Sequence, residues 1–265
     1  MDPLFSPPNE KKEDTSSRLT ALLDEACTAR NKSQAPRKYL GASRWGHHCE
    51  RALGYEYHQV AKDEGADFKG KTIRIFDMGH DGEDRMAEYL KAAGFLLVTH
   101  NPDGKQFGFE AAGGRLKGHL DGIIHGGPDM DGIKWPALWE NKALGSKSFK
   151  DVAAKGIKES KFVYWAQAQT YMAHLNLEFC LFTCLNRDTG EVYCEVIKLE
   201  TYAAQKLIDK AVRIISSQTP EELTKASQDE SNFACKWCDY RTRCHNIGDN
   251  PSQPNTNTNI PSWLN

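Results

Sequence analysis

The segment Leu116-Lys117-Gly118-His119-Leu120-Asp121-Gly122-Ile123-Ile124-His125 and, after a Gly- and Asp-rich loop, Pro136-Ala137-Leu138-Trp139-Glu140-Asn141-Lys142-Ala143-Leu144 decide how this chain folds. Apolar and polar residues alternate in both, which predicts two strands, 116–125 and 136–144, joined across the loop. Asp121 then stands mid-strand between glycines, where another group can approach closely. Residues two apart on a strand share a face, so Glu140 and Lys142 point one way and Trp139 and Asn141 the other. If the strands are neighbours, Asp121, Glu140 and Lys142 converge on one small volume.

Outward from this pair, Leu19, Leu22, Leu23 and Ala26 recur at helical spacing behind a serine cap and predict a helix over 17–30. A second helix is expected over 77–93, stopped by Gly94. A short strand at 95–100 precedes the turn Asn-Pro-Asp-Gly. A helix with an aromatic face follows at 162–175. A hairpin of 179–186 and 192–199 turns at Asp188-Thr189-Gly190, and 200–216 is amphipathic. This order predicts an α/β (α+β) core, a mixed central sheet flanked by helices. Residues 17–248 are expected to form a single domain between flexible tails, 1–16 and 249–265, the latter ending with Ile260, Trp263 and Leu264.

Of the 265 residues, 39% are hydrophobic and 26% charged, the balance of a soluble globular protein. No apolar run approaches the roughly 18 residues of a membrane span. The N-terminal segment is polar and contains prolines, unlike a signal or transit peptide, so a cytoplasmic location without a membrane partner is expected. The net charge of −2 does not announce a nucleic-acid partner, so any such partner must be argued from local chemistry. There is no solenoid repeat and no G-x-x-x-x-G-K-[ST] loop for nucleotide hydrolysis.

Two carboxylates supply the hard oxygen ligands that Mg²⁺ or Mn²⁺ prefers, with positions left for water and a phosphate oxygen. The metal acidifies the water, and Lys142 can orient it or stabilise the extra charge of the transition state. The plain alternative is an Asp and a Glu–Lys pair on a solvated sheet face. Two further features favour chemistry. Glu83 or His80, on the helix opened by Phe76-Asp77-Met78-Gly79, can add a ligand. Gln167 and Tyr171, four apart on one helix face, can hold a phosphate or a strand.

The ordered set Gly79…Glu83, Asp121, Glu140-x-Lys142, Gln167-x-x-x-Tyr171 resembles the PD-(D/E)xK nuclease superfamily, which has a restriction-endonuclease-like core. More narrowly it is similar to the nuclease domains of RecB and AddB, the CRISPR-adaptation iron–sulfur exonucleases and the phage lambda-type exonucleases. The resemblance runs over 44–244. It implies that Asp121, Glu140 and the Asn141 carbonyl ligate metal, that Lys142 is catalytic, and that Gln167 and Tyr171 form the family's downstream motif. Where RecB-like proteins carry a histidine four residues after a glycine, this chain has Glu83, as lambda-type exonucleases do. Glu83 is therefore preferred to His80.

Eight cysteines in an untargeted chain point to metal or redox chemistry rather than disulfides. Cys27, Cys180, Cys184 and Cys194 lie in apolar surroundings and read as small core residues. Cys235-x-x-Cys238 and Cys244 need a fourth ligand, for which Cys49 is the candidate, with His47, His48 and His245 as alternatives. Four thiolates suit zinc or a [4Fe–4S] cluster. The split of one cysteine early and three late again resembles the AddB and CRISPR-adaptation nucleases. That resemblance implies a [4Fe–4S] staple between the ends of the fold, with Zn²⁺ as the alternative.

Arg37, Lys38, Arg44 and Arg51, interleaved with Trp45, Tyr55 and Tyr57, suit phosphate contact and base stacking, as do Lys147, Lys150, Lys155, Lys158 and Lys161. For the lysine run, a solvated helix face is an equal reading. The sequence thus points to a metal-dependent DNA exonuclease in phage-type or mobile-element recombination, repair or processing. Its expected partner is DNA, single-stranded or with free ends. A single-strand annealing or single-strand-binding protein is a further candidate, and an oligomer is compatible. The rivals are a non-catalytic DNA-binding or assembly subunit that retains the fold, and a zinc-stapled structural protein.

Overall fold

The computed structural model describes residues 14–246, which form two compact units, one from the described part of 1–35 with Phe68–Asp77 and one from Pro36–Asp67 with the described residues from Met78 onward. Of the expected tails, 1–16 and 249–265, residues 1–13 and 249–265 lie outside the described residues, whereas Thr15 and Ser16 already belong to a helix. The first unit holds helix α1 (Thr15–Lys32), none of whose residues is buried. Asp14 occupies its cap position without a side-chain bond, so the expected serine cap is not formed. Arg74 meets Asp24, and Arg30 meets Asp77, each at 2.6 Å. Gly70 is required in this unit, because a Cβ there would stand 2.3 Å from the Asp24 Cα.

The second unit begins with β1 (Leu40–Gly41) and α2 (Glu50–Tyr57). Helix α3 (Gly70–Ala92) contributes its residues from Met78 onward, and starts earlier than its periodicity predicts. There follow β2 (Leu97–Val98), β3 (Gly108–Ala111), β4 (Leu116–His119), β5 (Gly122–Ile124) and β6 (Ala137–Leu144). Helices α4 (Ser146–Lys155), α5 (Ile157–Ser160) and α6 (Phe162–Leu175) cross over to β7 (Phe179–Asn186) and β8 (Val192–Lys198). The chain continues through α7 (Thr201–Ser216), α8 (Phe233–Lys236) and α9 (Arg241–His245).

Five strands pair in the order β2-β5-β6-β7-β8, and all pairs are antiparallel except β6 with β7. Strands β6 and β7 are almost continuously buried, as expected of a parallel pair covered on both faces. Their side chains Leu138, Cys180 and Phe182 join Ala168 and Met172 of α6 and Ile214 of α7 in the main core. Three further strands pair as β1-β4-β3, with β1 parallel and β3 antiparallel to β4. The result is a mixed α/β structure with mixed sheets flanked by helices, as the sequence predicts. No described helix is long and apolar enough to cross a membrane.

The main departure concerns the strand expected over 116–125. It breaks into β4 and β5, which belong to different sheets. At the joint the Leu120 N–H donates to the Phe107 carbonyl at 3.1 Å, while Gly122 pairs with Trp139. A Cβ on Gly122 would stand 2.8 Å from Leu97 Cδ1 and 2.9 Å from the Val98 carbonyl, so the glycine admits β2 beside β5. Asp121 therefore sits at a hinge between sheets rather than mid-strand. The strand expected at 95–100 also shortens to two residues, with only an isolated bridge from His100 to Gln106 beyond it.

Candidate active site

Pairing of Gly122 with Trp139, continued one step, sets Asp121 opposite Glu140. Asp121 and Glu140 are buried, and the Asn141 N–H donates to Asp121 Oδ2 at 2.7 Å. Lys142 Nζ donates to the Asn141 carbonyl at 2.9 Å and to Glu140 Oε2 at 3.2 Å, and lies 3.8 Å from Asp121 Oδ2. The three residues expected to converge do so. Two helices complete the group. Gly82 brings α3 against β6, since a Cβ there would stand 2.8 Å from that of Ala143, and Glu83 follows directly. From α6, Gln167 Nε2 donates to Glu140 Oε2 at 2.8 Å and to the Tyr171 hydroxyl at 3.4 Å. His80 is exposed, while Glu83 is half-buried.

Gly118 serves the same assembly from below. A Cβ at this position would fall 2.4 Å from Phe109 Cε1 and 2.6 Å from Tyr171 Cε1. Overpacking of this kind costs about 1–3 kcal/mol. Gly118→Ala is therefore expected to lower stability by that amount in urea titration and to displace the Tyr171 ring, which its near-ultraviolet signal would show. Wild-type stability and an unchanged tyrosine signal would show that the aromatic rings give way freely.

Crowded carboxylates shape the electrostatics. Burial, then the Asp121 charge, pushes Glu140 well above the carboxylate range, and the same causes push Glu83 up to about 7. Burial alone would lower Lys142, but the charges of Asp121 and Glu140 outweigh it and hold the ammonium protonated. Burial, then Glu140, raises the Tyr171 phenol. Glu140 Oε1 is buried without a hydrogen-bond partner. A buried carboxylate oxygen left open is costly, and a cation would satisfy it. The donors are hard oxygens, the chemistry Mg²⁺ and Mn²⁺ prefer. Among the described residues, no three His, Cys, Asp or Glu side chains stand arranged to hold a metal. In the acidic cluster, the cation among the carboxylates is the Lys142 ammonium.

Of this group, Glu83, Asp121, Gln167 and Tyr171 line an open cavity of about 740 Å³, whose lining also includes Arg37, Tyr39, Lys117 and His119. Sequence reasoning missed Tyr39, Lys117 and His119 as site residues. Lys117 and His119 flank Gly118 in a strand already singled out, and their alternation with buried Leu116 and Gly118 was the available signal. Other expected contacts are engaged elsewhere. Arg44 pairs with Glu56 at 3.0 Å, and Arg51 donates to the carbonyls of Leu223 and Glu221. Lys147 and Lys150 are exposed on α4, but Lys155 pairs with Asp151 and Lys158 with Glu200. Trp45, Tyr55 and Tyr57 are buried. The expectation that they stack on bases is corrected: their apolar rings fill the core.

Cys49, Cys235, Cys238 and Cys244 line one small second pocket, together with His245. Cys49 caps α2, its sulfur accepting from the Ala52 N–H at 3.4 Å. Burial raises the thiols of Cys238 and Cys244, and neighbouring cysteines add to it. Thiol sulfur is the donor type of iron–sulfur and zinc sites, although no three of these side chains stand arranged to hold a metal in this structure. Of the alternative ligands, His47 Nδ1 accepts the Cys49 N–H at 3.2 Å, and His48 Nε2 lies 3.4 Å from the Ala234 carbonyl. All eight cysteines are free. Cys180 and Cys184 are core residues as expected, but Cys27 is only partly buried and Cys194 is exposed on the outermost strand, β8.

No protein-family model and no curated protein matches the sequence. Among solved structures, the chain is similar to an alkaline exonuclease (LHK-Exo) from Laribacter hongkongensis, at 15% identity and a TM-score of 0.47, over 72% of this chain and 91% of that one. The same exonuclease in complex with dAMP matches at 15% identity and 0.47, over 72% and 90%. The protein SSO0001 matches at 17% identity and 0.47, over 86% of this chain and 97% of its own.

Proposed function

We propose that this chain is a metal-dependent deoxyribonuclease that degrades DNA from its ends. The observation that carries the reading is the convergence of Asp121, Glu140 and Lys142 beside an open cavity that Asp121 and Glu83 line, with Glu140 Oε1 unsatisfied. DNA as substrate and the exonucleolytic mode come from the resemblance of the ordered motif set. Glu83, Asp121, Glu140 and the Asn141 carbonyl would hold Mg²⁺ or Mn²⁺, which acidifies a water and shields the phosphate charge. Lys142, kept protonated, supplies positive charge where the phosphate gains negative charge. Gln167 fixes Glu140 through its amide and is a positioning residue. Arg37 and Lys117, the latter also paired with Glu110 at 2.7 Å, bring positive charge to the cavity lining for the phosphate backbone. Cys49, Cys235, Cys238 and Cys244 would hold a [4Fe–4S] cluster, with zinc as the alternative.

The test is digestion of end-labelled DNA by the full chain. Release of nucleotides from the ends is expected in Mg²⁺ or Mn²⁺ and not in EDTA. Ca²⁺ is expected to support DNA binding with little cleavage, because it accepts the same oxygens at longer distances and in looser geometry. Equal rates in EDTA and Mg²⁺ would overturn the metal requirement, and full cleavage in Ca²⁺ would overturn the water-activation argument.

A further inference from the structure

Phe233 and Trp237 are 82% and 75% exposed, an unusual state for two large aromatic side chains on one short element. They stand four residues apart across α8 and its C-cap, a spacing that places both on one face. Cys235, between them, is buried. The turn carrying the rings is fixed: the Asn232 side chain accepts the Ala234 N–H at 3.0 Å, and the Cys235 N–H donates to the Asn232 carbonyl at 2.8 Å. The rings are thus presented outward from an anchored support.

A cation stands beside Trp237. Lys236 Nζ lies 5.6 Å from the centre of the Trp237 ring, and neither Lys236 nor Arg243 makes an ion pair among the described residues. Of the acidic residues of the same segment, Glu230 lies 3.8 Å from Arg241 and Asp239 pairs with Lys62 at 2.6 Å, while Asp229 accepts from Ser231 and keeps its charge. Exposed rings with unpaired cations match a polyanion whose flat apolar groups are accessible, which is single-stranded nucleic acid. In a duplex the base faces are already stacked on one another.

We propose that Phe233 and Trp237, with Lys236 as phosphate contact, form a stacking platform for unpaired bases of single-stranded DNA. The proposal rests on the nuclease reading and adds the strand state that the enzyme grips. The test measures binding of the full chain to labelled oligo-dT and to a blunt duplex of equal length, in Ca²⁺ at fixed salt. Phe233→Ala and Trp237→Ala are each expected to weaken oligo-dT binding about tenfold, with Trp237→Tyr retaining most of it and duplex binding changing far less. Unchanged melting temperatures would show that the variants are folded, and Phe233→Ala, outside the cysteine pair, serves if Trp237→Ala is not. Undiminished oligo-dT affinity in both alanine variants would overturn the platform. So would equal losses on duplex and single strand, or self-association of the wild type that Trp237→Ala abolishes without affecting DNA. Ring-dependent oligo-dT binding without Mg²⁺-dependent cleavage would sink the nuclease reading and leave the platform standing; cleavage without ring dependence would do the reverse.

Discussion

Lys142→Met is expected to reduce Mg²⁺-dependent DNA cleavage by about a thousandfold or more while DNA still binds, the scale of losing a preorganised charge at a developing anion. The same substitution should also cost stability. Glu140 is 1% exposed and Asp121 7%, and the Lys142 ammonium is the positive charge within hydrogen-bond or ion-pair reach of both. Removing one partner of a buried ion pair leaves the others uncompensated, at about 3–5 kcal/mol. Mg²⁺ should recover part of this by supplying the missing charge, which urea titrations with and without the metal would show. The double variant Glu140→Gln/Lys142→Met should be more stable than Lys142→Met and equally inactive. A Lys142→Met protein whose cleavage rate stays near that of wild type would remove the lysine from the chemistry.

That prediction could be framed from sequence because Glu140 and Lys142 are two apart on one strand, and strand geometry alone fixes their common face. Helix α6 and strand β7 were equally legible, since a long apolar helix face and a near-continuous apolar run have few alternative readings. The sequence identifies Asp121 as a partner but places it mid-strand, whereas it lies between β4 and β5. The break after His119 depends on Phe107 accepting from Leu120 and on β2 closing over Gly122, contacts remote in sequence. The basic and aromatic residues around Cys49 misled for a related reason. Composition does not say which side of an element faces in, and Trp45, Tyr55 and Tyr57 face in. Cys194 shows the converse: an apolar neighbourhood in sequence becomes exposure because β8 is the edge of its sheet. Phe233 and Trp237 carry no periodic signal, and only the structure reveals their exposure.

If the proposed cluster is present, Cys49→Ala is expected to carry no iron and to unfold at a markedly lower temperature than the wild type. Cys49 caps α2, whereas Cys235, Cys238 and Cys244 belong to the far end of the described chain, yet all four line one pocket. Among the described residues the sulfur of Cys49 accepts from the Ala52 N–H and lies 4.0 Å from the Thr224 carbonyl, contacts too weak to tie the two segments. A cluster held from both segments closes a long loop, which removes conformational freedom from the unfolded chain. Its binding energy becomes folding energy, a large share of the roughly 5–15 kcal/mol that keeps a domain folded. Cys235→Ala, Cys238→Ala and Cys244→Ala should behave alike, because each removes one thiolate of four. Cys27→Ala and Cys180→Ala should keep the metal, since neither lines the pocket. The measurement is iron, sulfide and zinc per chain after anaerobic purification, with the visible spectrum and melting curve of each variant. Stoichiometric zinc without iron would replace the cluster by a zinc staple and leave the folding argument intact. A Cys49→Ala protein that keeps both its metal and its melting temperature would pass the fourth position to a neighbouring histidine, and the two segments would then be joined by something other than these four thiols.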